Sequence, residues 1–188
     1  MTRERIVRAL VDLLEKEEID QVSMAALARA ANVAERTIFR YFPTRADLVA
    51  AAGEWISTNI FRLIPSKVPE DLPRGFRDAC ALFDGHPRLA RAIATSRVGR
   101  SARSEFRKQF IASSSEVIAP LMAGLDDREQ RRAEAIVAYL DNVLAWHTLR
   151  EEFGMSGSEV ADTVQWALKL IFEDLRRRAS AAHSSGED

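Results

Sequence analysis

The chain has 188 residues, of which 47% are hydrophobic and 29% are charged, and its formal net charge at pH 7 is −1. This balance indicates a globular protein and argues against a disordered chain, and no apolar run approaches the roughly 18 to 20 residues of a membrane span. A single cysteine and three scattered histidines predict neither a disulfide nor a metal site, and we expect no cofactor. The charged N-terminus lacks the uncharged core of a signal peptide, so we expect a cytoplasmic protein.

The first predicted element is an amphipathic helix from Arg3 to Lys16. Its apolar residues recur at three- and four-residue spacing, which places them on one face. They are Ile6, Leu10, Leu13 and Leu14. We expect this face to be buried against the elements that follow.

Two short helices joined by a tight turn come next. Ser23 is a good N-cap for a helix of strong helix formers that ends near Ala31. Asn32 can adopt the left-handed backbone conformation that a tight turn requires. The second short helix runs from about Glu35 to Tyr41, and Pro43 prevents its continuation.

A longer helix, capped by Thr44, is predicted from about Arg45 to Ile60. The stretch that follows it is rich in proline and glycine. These residues are Pro65, Pro69, Pro73 and Gly75. Such a cluster predicts a domain boundary.

The rest of the chain is also helical in pattern. We predict helices over 76–83, up to about 98 and from 101 to near 120, then two long helices over 127–152 and 158–178, and a disordered tail over 181–188. No strand-like alternation, internal repeat or glycine-rich nucleotide loop appears in the sequence. The predicted fold class is therefore all-α, with about nine helices.

The two short helices, braced by the first helix, predict a helix-turn-helix, whose second helix enters the major groove of DNA. Positive charge is concentrated here, because residues 29–45 contain four arginines and one glutamate. Ile38 and Phe42 can join a core, which leaves outward-facing residue types that contact base edges and phosphates. The resulting candidates are Glu35, Arg36, Thr37, Arg40, Tyr41 and Arg45. Alternatively, the aromatic rings are ordinary core and the arginines form a solvated face.

The segment from Ser23 to Leu48 resembles the helix-turn-helix of the TetR family of bacterial transcription repressors. The residues that match the family pattern are Leu27, Ala28, Ala31, Val33, Thr37, Ile38, Tyr41, Phe42 and Leu48. Four positions depart from it: Asn32 replaces the usual glycine, Ala34 a capping serine, Phe39 a tyrosine and Arg45 a lysine. The resemblance covers residues 3–55 and adds Ser23 and Phe39 to the candidate DNA contacts.

The resemblance implies a DNA-binding domain over 1–48, a connecting helix over 49–64 and a helical effector-binding and dimerisation domain over 65–180. It implies a homodimer formed through helices 127–152 and 158–178, which binds a palindromic double-stranded DNA operator and is released by a small-molecule effector. Aromatic side chains with a few polar groups suit such a ligand, although each of them is also a candidate for plain core. The candidate pocket residues are Cys80, Phe83, Phe106, Phe110, Asn142, Trp146 and His147.

A second concentration of positive charge lies in the middle of the chain. Its cations are Arg88, Arg91, Arg97, Arg100, Arg103, Arg107 and Lys108, against Glu105 alone. They predict either an anionic effector, such as a carboxylate or an acyl-thioester, or a solvated basic face.

Two other classes of function compete with the repressor. An enzyme is disfavoured, because the sequence offers no nucleophile with a base and its paired carboxylates are adjacent rather than on one helix face. The alternative function is a helix-turn-helix protein without a small-molecule effector, acting through protein contacts or architectural DNA binding.

Overall fold

The computed structural model describes residues 1–18, 20–62, 64, 66–95, 108 and 110–184, with side chains described as far as 181. This part of the chain is helical and contains no strand, which confirms the predicted all-α class. The helices are α1 (Thr2–Leu14), α2 (Met24–Ala30), α3 (Glu35–Tyr41), α4 (Arg45–Asn59), α5 (Asp71–Gly85), α6 (Pro87–Thr95), α7 (described over 110–118), α8 (Asp127–Leu140), α9 (Val143–Phe153) and α10 (Gly157–Ser184), with a 3₁₀ turn over Ala119–Met122. None of the described helices has the combined length and apolarity needed to cross a bilayer.

The chain divides into two compact units. The first unit contains residues 1–62 and the described residues from 82 to 95, and the second contains the described residues of 64–81 and of 108–184. Helix α5 contributes residues to both units, because the division falls between Ala81 and Leu82.

Helix α1 organises the first unit. It packs against α2, α4 and α6, and α2 in turn packs against α3. The apolar face predicted for α1 is buried at Ile6, Leu10 and Leu14, whereas Leu13 is half-buried. Other large side chains of this core include Leu27, Ile38, Phe42, Leu48 and Ile56.

The first unit extends beyond the expected DNA-binding domain, whose boundary we predicted at residue 48. All of α4 belongs to this unit, and so does α6, which we expected in the effector-binding domain. Polar contacts hold α6 and the residue before it to the end of α1. Nδ1 of His86 lies 2.6 Å from Oε1 of Glu15, and the Arg88 guanidinium donates a hydrogen bond of 2.7 Å to the carbonyl of Lys16.

The predicted linker is shorter than its composition suggested. Helix α5 begins at Asp71, so Pro73 and Gly75 lie inside it rather than before it. Proline is tolerated in the first turn of a helix because the amides there have no helical acceptor.

The prediction of one long helix over 127–152 was wrong, because α8 ends at Leu140 and α9 begins at Val143. Asn142 has an extended backbone (φ −155°, ψ 147°), and its side-chain oxygen accepts a 3.0 Å hydrogen bond from the Leu144 amide. Asn142 is therefore the N-cap of α9, which satisfies an amide that the helix itself cannot.

Helix α10 is the central element of the second unit, where it packs against α8, α9 and the 3₁₀ turn. Its buried face consists of Val160, Val164, Leu168, Phe172 and Leu175. The helix continues to Ser184, beyond the predicted end at 178, so the first four residues of the predicted disordered tail (181–188) are helical. Residues 185–188 lie outside the described residues.

Candidate DNA-binding site

The turn between α2 and α3 has the hydrogen-bond pattern of a Schellman motif. The amide of Val33 donates to the carbonyl of Ala28 at 3.0 Å, and the amide of Asn32 donates to that of Arg29 at 3.1 Å. Asn32 has a left-handed backbone with φ of 49°, which confirms the prediction for this position. The backbone therefore fixes where α3 begins relative to α2.

One face of α3 is anchored in the core of the first unit. Ile38 and Phe42 are almost fully buried, and the Phe42 amide donates to the Ile38 carbonyl at 2.8 Å. The rest of the helix surface is open: Phe39 is 47% exposed and Tyr41 39% exposed, on either side of the buried stripe. Among the aromatic rings of Phe39, Tyr41 and Phe42, only that of Phe42 therefore belongs to the core.

The polar residues of α3 that are predicted to contact DNA lie outside the buried stripe. Glu35, Arg36 and Arg40 are exposed, and Thr37 is half-buried. The guanidinium of Arg40 lies 5.3 Å from the centroid of the Tyr41 ring, within the range of a cation–π contact. Within the described residues neither Arg36 nor Arg40 pairs with a carboxylate, so their donors remain available to an anionic partner.

The helices of the first unit differ in how they are capped. The Ser23 hydroxyl accepts a 3.1 Å hydrogen bond from the Ala26 amide at the start of α2. Thr44 and Asp47 form a reciprocal capping box at the start of α4. Ala34, the N-cap residue of α3, has no side chain that can do this. The start of α3 is therefore held by its backbone alone.

Arg45 has a structural contact that the sequence did not predict. Its side chain is half-buried, and a guanidinium nitrogen donates a 2.9 Å hydrogen bond to the Val22 carbonyl, just before α2. This bond links the start of α4 to the start of the helix-turn-helix. A phosphate contact from Arg45, which remains a prediction, would have to share this guanidinium.

An open hollow of about 580 Å³ lies between α2 and the start of α3. Its lining residues are Ala25, Ala28, Arg29, Asn32, Val33, Ala34 and Glu35. Arg29 is exposed here beside the first residue of α3, although it was not among the predicted contacts. The signal was present in the sequence, since Arg29 is one of the four arginines in the basic stretch over 29–45.

The predicted effector residues have several different settings. Cys80 and Trp146 are buried in the second unit, where Phe110 and His147 are half-buried. Asn142 is buried as the cap of α9. Phe83 belongs to the first unit, where its ring packs edge-on against Phe61 with centroids 5.1 Å apart. Phe106 lies outside the described residues, and the pocket remains a prediction.

The second basic stretch is described only in part. Arg88, Arg91 and Lys108 are exposed, and Arg88 is engaged with the Lys16 carbonyl. The remaining residues of this stretch lie outside the described residues: Arg97, Arg100, Arg103, Glu105 and Arg107. Among the side chains that the structure describes, no group of histidine, cysteine or carboxylate residues is arranged to hold a metal ion.

Comparisons with known proteins agree with this geometry. Residues 6–52 match the family described as bacterial regulatory proteins, tetR family. The HTH-type transcriptional repressor KstR of Rhodococcus jostii (strain RHA1) is 26% identical over 188 residues, which cover 94% of this chain and 85% of that protein. The nucleoid occlusion factor SlmA of Marinomonas sp. (strain MWYL1) is 32% identical over 69 residues, which cover 37% of this chain and 35% of that protein.

The fold as a whole also has a known counterpart. The crystal structure of a tetR-family transcriptional regulator from Streptomyces coelicolor matches with a TM-score of 0.64 at 18% identity, over 96% of this chain and 91% of that one. The profile match over the helix-turn-helix and the alignment with KstR along the chain point to the same family. Over residues 6–52 this chain therefore matches the TetR family of bacterial transcription regulators, and its similarity to the repressor KstR extends along nearly its whole length.

Proposed function

We propose that this transcriptional regulator is a repressor, which binds a palindromic operator as a homodimer and is released from it by a small-molecule effector. The observation that carries the DNA-binding part is the open face of α3, where two unpaired arginines stand beside exposed aromatic side chains. Arginine pairs bidentately with guanine, and aromatic and threonine groups contact thymine methyls and phosphates. The likeness to KstR, which is named a repressor, supports repression as the sign of regulation.

The dimer is supported by apolar side chains left exposed on two helices of the second unit. On α8 these are Ile136 and Tyr139, three residues apart, and on α10 they are Trp166 and Leu170, four residues apart. Such spacing places each pair on one side of its helix. A second copy of the chain would remove this apolar surface from water. We therefore assign α8 and α10 to the dimer interface, with α8 taking the place of the single helix expected over 127–152. Two-fold symmetry would then present two α3 helices about 34 Å apart, to successive turns of DNA.

Release by an effector requires that the ligand bind the DNA-incompetent state more tightly than the DNA-competent state. The difference between these two binding free energies equals the free energy by which the ligand weakens operator binding. We place the ligand among the predicted residues of the second unit, with Trp146 and His147 supplying apolar surface and a polar group. We also place the protein in the cytoplasm, where bacterial DNA is found, and we assign it no catalytic activity.

The test is fluorescence anisotropy with DNA from upstream of the protein's own gene and with a random-sequence duplex, each at two salt concentrations. We expect salt-sensitive binding with a preference for the upstream DNA. Arg40→Ala should reduce that preference by about 1 to 3 kcal/mol. Arg131→Ala, which removes an exposed arginine from α8 in the second unit, is the matched control and should leave the preference unchanged. Equal losses on both duplexes with Arg40→Ala would contradict the assignment of α3 as the reading helix.

The second candidate is a DNA-binding protein without an effector, which acts through protein contacts. The match to SlmA favours this candidate. A segment of 69 residues aligns with that protein, which is named a nucleoid occlusion factor and not a repressor. A thermal-melting screen with small carboxylates and acyl-thioesters distinguishes the two candidates. Ligand-dependent stabilisation that is accompanied by loss of DNA binding supports the repressor. DNA binding that is unaffected by any ligand supports the second candidate.

A further inference from the structure

We infer that Arg3, on α1, is a phosphate-contacting residue that holds the DNA backbone at the C-terminal end of α3. This inference rests on the proposed role of α3 as the reading helix. Arg3 lies far from the helix-turn-helix in the sequence, but its guanidinium carbon lies 5.2 Å from the centroid of the Phe42 ring. Phe42 is the residue that immediately follows α3 and caps it.

The length of α3 explains why a cation at its end meets a phosphate. Seven helical residues span about 10 Å, and the major groove of B-DNA is about 12 Å wide. A helix of this length that crosses the groove brings each of its ends close to a phosphate strand. The side chain of Arg3 is exposed, so its charge is on the solvent side of the buried Phe42 ring.

The donors of Arg3 are available for such a contact. Among the residues that the structure describes, Arg3 forms no ion pair and donates no hydrogen bond, and its one side-chain interaction is with the Phe42 ring. Arg45, the other candidate near the end of α3, is engaged with the Val22 carbonyl. A guanidinium held by stacking on a ring keeps its hydrogen-bonding edge free, and its planar fork matches two phosphate oxygens.

Arg5 provides a matched control on the same helix. It is exposed and unpaired within the described part of the chain, but it points about 200° away from Arg3 around the axis of α1. Arg3→Ala and Arg5→Ala therefore remove the same charge from the same helix. Arg3→Lys retains the charge of Arg3 but loses the planar fork.

The experiment measures the salt dependence of binding to a random-sequence duplex by anisotropy, because a phosphate contact does not depend on sequence. For Arg3→Ala, the slope of log Kobs against log salt should become less steep by about 0.9 for each protomer bound. The slope should be unchanged for Arg3→Lys and Arg5→Ala. A slope with Arg3→Ala that equals that of the wild type overturns the inference, and so does an equal loss with Arg5→Ala.

Two further measurements separate the possible explanations. The melting temperature distinguishes a phosphate contact from a purely structural role of Arg3, and binding by the wild type tests the proposed function itself. A purely structural Arg3 would lower the melting temperature of Arg3→Ala and leave the salt slope intact, which would overturn the phosphate contact. Wild-type protein that binds no duplex, even at low salt, would overturn the proposed function itself. That result is distinct from salt-sensitive wild-type binding with an unaltered Arg3→Ala slope.

Discussion

Replacing Ala34 by serine should stabilise the first unit by about 1 kcal/mol. Ala34 already has the extended backbone of an N-cap residue, with φ of −75° and ψ of 149°, but it offers no side-chain acceptor. The Thr37 amide bonds to the Ala34 carbonyl at 2.8 Å, whereas the Arg36 amide has no acceptor among the described residues. A serine oxygen at position 34 would therefore accept a hydrogen bond from an amide that now lacks one.

The size of the gain follows from the other helices of the same unit. At α2 the cap bond, from the Ala26 amide, three residues on, to the Ser23 hydroxyl, is 3.1 Å long, and at α4 the bond from the Asp47 amide to Thr44 has the same length and spacing. Caps of this kind contribute about 0.5 to 2 kcal/mol, and no backbone adjustment is needed at Ala34 to form one. For cooperative unfolding of the whole chain, 1 kcal/mol raises the melting temperature by about 2 to 4 °C.

The assay is thermal and urea unfolding of Ala34→Ser beside Ala50→Ser, which makes the same exchange at an exposed interior position of α4. The control should lose about 0.5 kcal/mol, because serine is a poorer helix former than alanine and position 50 provides no cap. The opposite signs of the two changes are the expected result. A midpoint for Ala34→Ser at or below that of the wild type would refute the capping role of a serine at this position.

Three further outcomes are expected from the structure. Asn32→Ala should destabilise the protein by about 1 to 2 kcal/mol in urea, because position 32 has φ of 49°, and Asn32→Gly should not. The hydrogen bond from Arg178 lowers the pKa of Asp174 in the folded protein. The stabilisation from this carboxylate is therefore present above the unfolded pKa of 3.8 and is lost as the pH falls through the folded pKa. The melting temperatures of Asp174→Asn and wild type should accordingly converge in acid. Trp166→Glu should convert a dimer into a monomer in light scattering, whereas Ser158→Glu on the same helix should not, and a dimeric Trp166→Glu would contradict the proposed interface.

The parts of the site that the sequence predicted depend on neighbours in the chain. Ser23 and Thr44 cap helices through amides three residues away, and both caps are confirmed. The left-handed turn at Asn32 and the bounds of α3, which also depend on local sequence, are confirmed as well. A residue type and its spacing are enough to predict such features, because the interacting groups are held close by the chain itself.

The parts that the sequence did not predict join residues far apart in the chain. Arg45 and Val22 are separated by 23 positions, and Glu15 and His86 by 71. Nothing in the sequence pattern around either residue identifies its partner, so the contact between α1 and the start of α6 could not be predicted. The break at Asn142 is different, since asparagine is a common N-cap. It was not predicted because the apolar spacing of Ile136, Leu140 and Val143 continues across the break.

Net charge is a poor guide to DNA binding in this protein, and the first unit shows why. The whole chain carries a net charge of −1, yet four arginines and one glutamate lie between residues 29 and 45. At physiological ionic strength the Debye length is about 8 Å, so exposed acidic residues farther away than this scarcely weaken the attraction between these arginines and DNA. The salt slope counts the phosphates that are contacted, whatever the charge of the rest of the chain. If Arg3 adds a contact from α1, the slope measures a surface assembled from two separate segments of the sequence, which no count of charge over a single stretch would include.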